Sequence, residues 1–163
     1  MQPYKKIIRD PIQVFRRRWN ADGRGRLMEG LRNDDKAFSE DFGQAYVTTI
    51  LPGVIKAWHM HEKQTDRMLL LRGTVRFVAV LGLVAHTPEG LGPDVKMDFV
   101  VSDFDPYLIV IPPTLYHGFQ NMADEEAYIL NIPTKEYNRE NPDEKRLDPH
   151  DIVDFPWKIS LDG

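Results

Sequence analysis

From Ala45 onward the sequence predicts an all-β fold, its antiparallel strands closed as a sandwich or barrel. The segments AYVTTI, VIKAWHMH, MLLLRGTVRFVAVLGLV, MDFVV, YLIVI and AYILNI are short and rich in β-branched and aromatic residues. Gly, Pro, Asn and Asp punctuate them. No long helical pattern lies between them, so the strands must bury their apolar faces against one another.

The 163 residues fit a single domain, 1–163, long enough to bury a core without staples. Residues 1–21 read as an extended arm, Ile7-Ile8 followed by Ile12 to Phe15, broken at Pro11. A glycine-punctuated turn, DGRGRLMEG, runs from Asp22 to Gly30. Leu31–Gly43 predicts a short helix, with Asp34 or Asp35 as its cap and Gly43 as its stop. The strands follow, interrupted by a surface loop at His86–Lys96 that carries four breakers. Beyond Pro133 the chain is a short, polar, proline-broken tail, which Trp157 is expected to dock back onto the strands.

Composition removes several function classes. A net charge of −4 argues against nucleic-acid and anionic-membrane partners, which need a basic face. The run Arg16-Arg17-Arg18 reads as a solvated strand edge. With no cysteine, disulfides and thiolate metal sites are excluded, and any metal must use His and carboxylate ligands. The first residues are charged throughout, without the apolar core of a signal peptide, and no run approaches membrane-spanning length. The expected compartment is the cytoplasm.

Three of the five histidines fall in two short stretches, GVIKAWHMHEKQTDRMLLLRG (Gly53–Gly73) and PPTLYHGFQN (Pro112–Asn121). On a strand, His59 and His61 share a face, their Cα atoms about 7 Å apart. Ile55 and Ala57 have the same parity, which points that face inward and places Lys56 on the opposite one. Inward histidines need partners, since burying a polar group unpaired costs about 1–3 kcal/mol.

The spacing of Gly53, His59, His61, Asp66 and Gly73 resembles the first motif of the cupins, with Asp66 where Glu is usual. Pro112, His117 and Asn121 resemble the second, with Thr114 where glycine is more usual. The resemblance implies a cupin double-stranded β-helix, or jelly roll. His59, His61, Asp66 and His117 would converge inside it and could hold a divalent metal such as Zn, Mn, Fe or Ni. The bland alternative is that the four groups only hydrogen-bond one another.

Four further segments are similar to the dTDP-4-dehydrorhamnose 3,5-epimerases. Asp22-Gly23-Arg24-Gly25 with Glu29 resembles their D-x-R-G-x-x-x-E, and Lys56 to His59 their R-G-L-H. Ile111 to Phe119 resembles I-P-x-G-x-x-H-G-F, and Asp154 to Trp157 the E-W-P region. The resemblance implies a homodimer that epimerises or isomerises a nucleotide-linked 4-keto-6-deoxy sugar without a required cofactor. A proton is taken beside the ketone and returned on the opposite face. His59 falls on the catalytic base, His117 on the second-motif histidine, and Arg24, Glu29, Lys56, Gln64 and Asn131 along the substrate cleft.

The chain departs from that family at informative places. Asn131 stands where the family has its proton-donating tyrosine, and Asp66 where it has the lysine that stabilises the enolate. Phe77 replaces the aspartate paired with the second-motif histidine, and only Asp162 could stand for the aspartate paired with the base. A carboxylate about 4 Å from a developing enolate is repelled by roughly 4 kcal/mol at an effective dielectric of 20, or about three factors of ten in rate. A metal held by the four residues would polarise the ketone instead, but a ligated His59 could not act as base; Tyr116, Tyr128 or a free carboxylate would then move the proton. Two other readings stay open: a metal-dependent cupin of another class, such as a dioxygenase or sugar isomerase, and a non-catalytic sugar-nucleotide-binding cupin.

Overall fold

In a computed structural model, residues 6–35, 41–82, 94–151 and 157 are described. Thirteen strands follow in order: β1 (Ile7–Ile8), β2 (Gln13–Arg16), β3 (Trp19–Asp22), β4 (Gly25–Met28), β5 (Tyr46–Ile50), β6 (Ile55–Met60), β7 (Asp66–Arg72), β8 (Thr74–Leu81), β9 (Asp94–Ser102), β10 (Tyr107–Ile111), β11 (Leu115–Asn121), β12 (Ala127–Asn131) and β13 (Lys145–Arg146). A six-stranded sheet, β1-β9-β8-β11-β6-β13, faces a five-stranded one, β2-β10-β7-β12-β5, while β3 and β4 form a separate hairpin. From β5 to β8 and again from β9 to β12 consecutive strands alternate between sheets, with β8 and β9 paired in one sheet, and this is the jelly roll that the cupin motifs implied. The arm takes part in it, because β1 and β2 each close one sheet edge.

The main core lies between the sheets. Val75, Phe77 and Ala79 of β8 meet Met68 and Leu70 of β7, with Ile109, Ile111, Phe119 and Ile129. The outer faces are covered too. Val78 and Val80 pack under Trp58 and Trp157, and Leu69 and Leu108 are covered by Phe15, Met28 and Leu31. Apolar burial on both faces explains why MLLLRGTVRFVAVLGLV is a near-continuous hydrophobic run rather than an alternating one. Arg76 survives inside it by a two-pronged contact with Asp98, at 2.7 and 2.8 Å, and by donating to the Trp157 carbonyl.

No helix occurs among the described residues. Of the helix expected over Leu31–Gly43, residues 36–40 lie outside the description, and the described ends are a turn and an extended segment. The acidic caps are spent elsewhere: Asp34 accepts from Arg32, and Asp35 takes both terminal nitrogens of Arg17. Arg16 and Arg18 are solvated, Arg16 pairing with Asp105, but Arg17 departs from the expected edge: its side chain is largely covered and pairs with Asp35. Trp157 docks the tail as expected, 4.8 Å from Trp58 between ring centres. Most of the His86–Lys96 loop, Asp154 and Asp162 fall outside the described residues. No described helix is long and apolar enough to cross a membrane.

Candidate functional site

Strand β11 pairs with both β8 and β6, and this sets His117 directly opposite His59. Their rings lie 4.0 Å apart, edge to face. His61 follows just beyond β6, and Asp66 opens β7 in the other sheet. One ligand atom from each of these four residues lies within 4.8 Å of all the others. The sequence motifs therefore converge, and they do so at one end of the space between the sheets.

Parity along β6 is not what simple alternation predicts. His117 pairs with His59, but two residues later Phe119 pairs with Lys56, three residues earlier on the partner strand. One extra residue is thus accommodated in β6, a β-bulge that reverses the facing of everything before it. Lys56 turns to the same cavity as His59, while Ile55 joins the outer Trp58 cluster rather than the inner core. Gly118 permits this. A Cβ there would lie 2.4 Å from the Ala57 Cβ and 2.9 Å from the Lys56 carbonyl oxygen.

Asp66 is almost wholly buried, yet its polar atoms are well served. Oδ1 accepts from Gln64 Nε2 at 2.7 Å and Asn131 Nδ2 at 2.8 Å. Oδ2 faces His117 Nε2 at 3.0 Å and His61 Nε2 at 3.5 Å. Burial alone would raise the pKa of Asp66, but His117, His61 and Asn131 outweigh it and hold the carboxyl well below its usual range. His59 is pushed well below the ordinary imidazole value, by burial first and then by His117; Asp66 opposes the shift without reversing it. His59 is therefore neutral near pH 7, with a lone pair to offer.

The tautomers of the other two histidines follow from their partners. His117 Nδ1 lies 3.1 Å from the Leu115 carbonyl, and His61 Nδ1 meets the Asp143 carbonyl. A carbonyl only accepts, so Nδ1 carries a proton in both rings, and each ring presents its Nε2 to Asp66. His117 Nε2 is buried and makes no aligned hydrogen bond despite its 3.0 Å approach to the carboxylate. Phe77, which stands where the resembled family has an aspartate, is a core ring 5.5 Å from Phe119, and the carboxylate beside His117 is that of Asp66.

A cavity of about 430 Å3 opens above the cluster, with His59, His61, Lys56 and Asn131 in its wall. Asp66 and His117 are not in that wall; they stand behind it. The Asp66 oxygens are engaged by Gln64, Asn131 and His117 rather than turned into the cavity. Gln64 likewise serves Asp66 rather than the cavity. Arg24 and Glu29 do not reach this cavity: Arg24 is in the exposed β3–β4 hairpin, paired with Asp22, and Glu29 pairs with Arg32. Tyr116 packs beside the Trp58 cluster and Tyr128 donates to Glu126, so neither expected tyrosine lines the cavity.

Other residues do line it. The tail returns beside β6 as β13, placing Arg146 opposite His59, and Leu147 exchanges backbone hydrogen bonds with Trp58. Asp143 fixes this return by accepting the backbone N–H groups of Glu62, Lys63 and Gln64, each at 3.0 Å. Glu144 and Arg146 thus complete one side of the cavity, and Tyr46 and Thr48 of β5 the other. Nothing in the spacing of the tail or of AYVTTI marked them.

Residues 20–145 match the family described as the polysaccharide biosynthesis C-terminal domain. The chain belongs to this family. Two relatives are similar over nearly their whole length. The probable low-salt glycan biosynthesis epimerase Agl13 of Haloferax volcanii is 31% identical over 147 residues, covering 88% of this chain and 91% of that protein. The spore coat polysaccharide biosynthesis protein SpsL of Bacillus subtilis is 33% identical over 153 residues, covering 93% and 98%. Among solved structures, dTDP-4-dehydrorhamnose 3,5-epimerase from Sulfolobus tokodaii superposes with a TM-score of 0.72 at 21% identity, covering 96% of this chain and 88% of that one. That likeness establishes the fold. This member of the polysaccharide biosynthesis family is an enzyme of the sugar-epimerase class, on the jelly roll that its motifs implied.

Proposed function

We propose that the chain epimerises a nucleotide-linked 4-keto-6-deoxy sugar, with His59 taking a proton from the carbon beside the ketone. The observation that carries this is a neutral imidazole in the wall of a cavity flanked by two cations, Lys56 and Arg146. The cavity suits a sugar, and the cations suit a diphosphate. The name of one relative, a probable glycan biosynthesis epimerase, supports the reaction class. Incubation with dTDP-4-keto-6-deoxyglucose in D2O should exchange a sugar proton for deuterium, and His59→Ala should abolish the exchange. Exchange that persists unchanged in His59→Ala would remove His59 from the mechanism.

One observation favours a second reading. Two Nε2 atoms and an ionised carboxylate converge with His59, and both rings are oriented by backbone carbonyls, as metal-ligating histidines are. His59, His61, Asp66 and His117 fit a divalent cation, which when bound would polarise the ketone as a Lewis acid. His59 cannot be ligand and base at once. Elemental analysis of purified protein, with a melting curve before and after chelation, tests this; no stoichiometric metal and no shift would end it.

The expected homodimer belongs to the proposal as well. The hairpin carrying Arg24 stands apart from the cavity of its own chain, so Arg24 can hold a nucleotide only if a second copy presents its cavity there. Sedimentation of a monomer at micromolar concentration would withdraw both roles.

A further inference from the structure

We infer that Tyr46 is the proton donor on the face opposite His59, filling the role left vacant by Asn131. This rests on the epimerase reading. Register sets Tyr46 of β5 directly opposite Asn131 of β12, and the Tyr46 oxygen lies 2.9 Å from Asn131 Nδ2. The orientation of that amide is fixed on its other sides: Oδ1 accepts the Arg67 backbone N–H at 3.1 Å, and Nδ2 also donates to the Asp66 carboxylate. A flipped amide would set oxygen against carboxylate and NH2 against N–H. Asn131 therefore donates to Tyr46, and the tyrosine oxygen must accept.

Its own proton is then left over. The Tyr46 hydroxyl donates to no acceptor among the described residues, and Tyr46 lines the cavity together with His59. The two come from different sheets, β6 from the six-stranded one and β5 from the five-stranded one. They are walls on either side of one space, which inversion at a carbon requires. Burial, with the charge of Asp66, raises the Tyr46 pKa, so the proton stays on the oxygen near neutrality.

The step balances without a redox partner. His59 takes the proton beside the ketone, and the C–H electron pair moves onto the ketone oxygen as an enolate. That pair returns to form a new C–H bond with the Tyr46 hydroxyl proton on the other face. Water then reprotonates the phenolate and accepts the proton held by His59.

The test is Tyr46→Phe with dTDP-4-keto-6-deoxyglucose in D2O, following deuterium incorporation and product configuration by NMR. Tyr46 is 41% exposed, so loss of one hydroxyl leaves the fold intact. Exchange with retained configuration should continue within about threefold, because His59 alone performs it, while inversion falls about 100-fold or more, the usual worth of a positioned acid. Unchanged inversion would overturn the assignment, and so would an equal fall in exchange and inversion, which marks a structural role. If the unaltered protein shows neither exchange nor inversion, the epimerase reading itself falls and takes this inference with it.

Discussion

Lys56 and His59, three residues apart on β6, face the same cavity because the register against β11 slips by one residue between them. Gly118 lies across from that slip, and any side chain there would run into the Ala57 Cβ and the Lys56 carbonyl. Gly118→Ala should therefore destabilise the fold by about 1–3 kcal/mol, the range for overpacking a tight site. Gly23 is the control, since a Cβ there meets nothing within 4 Å and its φ is not in the left-handed region. Gly23→Ala should stay within about 0.5 kcal/mol of the parent. Equal denaturant midpoints for the two variants would mean that the bulge does not need its glycine.

That bulge also marks a limit of legibility. The period-2 pattern identified the strands, and the histidine spacings identified four converging side chains. Neither could locate the bulge, because the extra residue is absorbed by backbone pairing with a distant strand. Ile55 and Ala57 had the parity of His59 on paper and lost it to the slip. Thr114 shows the opposite case: its departure from glycine was visible in the motif, and its φ of 70° lies in the left-handed region where glycine is favoured. Tyr46, Glu144 and Arg146 carried no local signal. They reach the cavity through strand order and through the Asp143 contacts that fold the tail back.

Asp66 should behave as a buried charge with committed partners. Asp66→Asn keeps an oxygen for Gln64 and Asn131 but removes the charge that faces His117 and His61 through Oδ2, and breaking such a buried pair costs about 3–5 kcal/mol. The pH dependence has a definite sign. The folded pKa is depressed, so the unfolded chain binds the proton more readily and the carboxylate stabilises the fold above its unfolded pKa of about 3.9. That contribution is lost as pH falls below this value. The stability gap between parent and Asp66→Asn, measured by urea unfolding, should be full at pH 7 and shrink below about pH 4. A gap independent of pH would show that Asp66 is not ionised in the folded protein.

His59 predicts a second pH effect, on rate. Its folded pKa lies well below the ordinary imidazole value, so the neutral form needed by a base persists into mildly acidic solution. The acid limb of kcat/KM should fall below about pH 6.5, the unperturbed value. Stability runs the same way: between the unfolded and folded pKa values the unfolded state binds more protons, so stability decreases as pH falls through that window. His59→Gln should remove this share of the decrease. An acid limb at or above about pH 6.5 would mean that burial does not govern the imidazole.

Lys56 and Arg146 give the last prediction, because they separate binding from chemistry. Both line the cavity beside His59, Lys56 held only by Thr48 at 3.3 Å and Arg146 paired with Glu144 of the same wall at 2.8 Å. Cations at a cavity rim can turn to an incoming diphosphate. Hydrogen bonds to charged groups are worth about 1.5–3 kcal/mol each, so Lys56→Ala and Arg146→Ala should each weaken dTDP binding by about 10- to 150-fold, with the parent's affinity falling as salt rises. Inversion at saturating substrate should change far less, since a contact made equally in ground and transition states alters KM rather than kcat. A variant that keeps its dTDP affinity but loses kcat would move that cation from the diphosphate to the reacting end of the sugar.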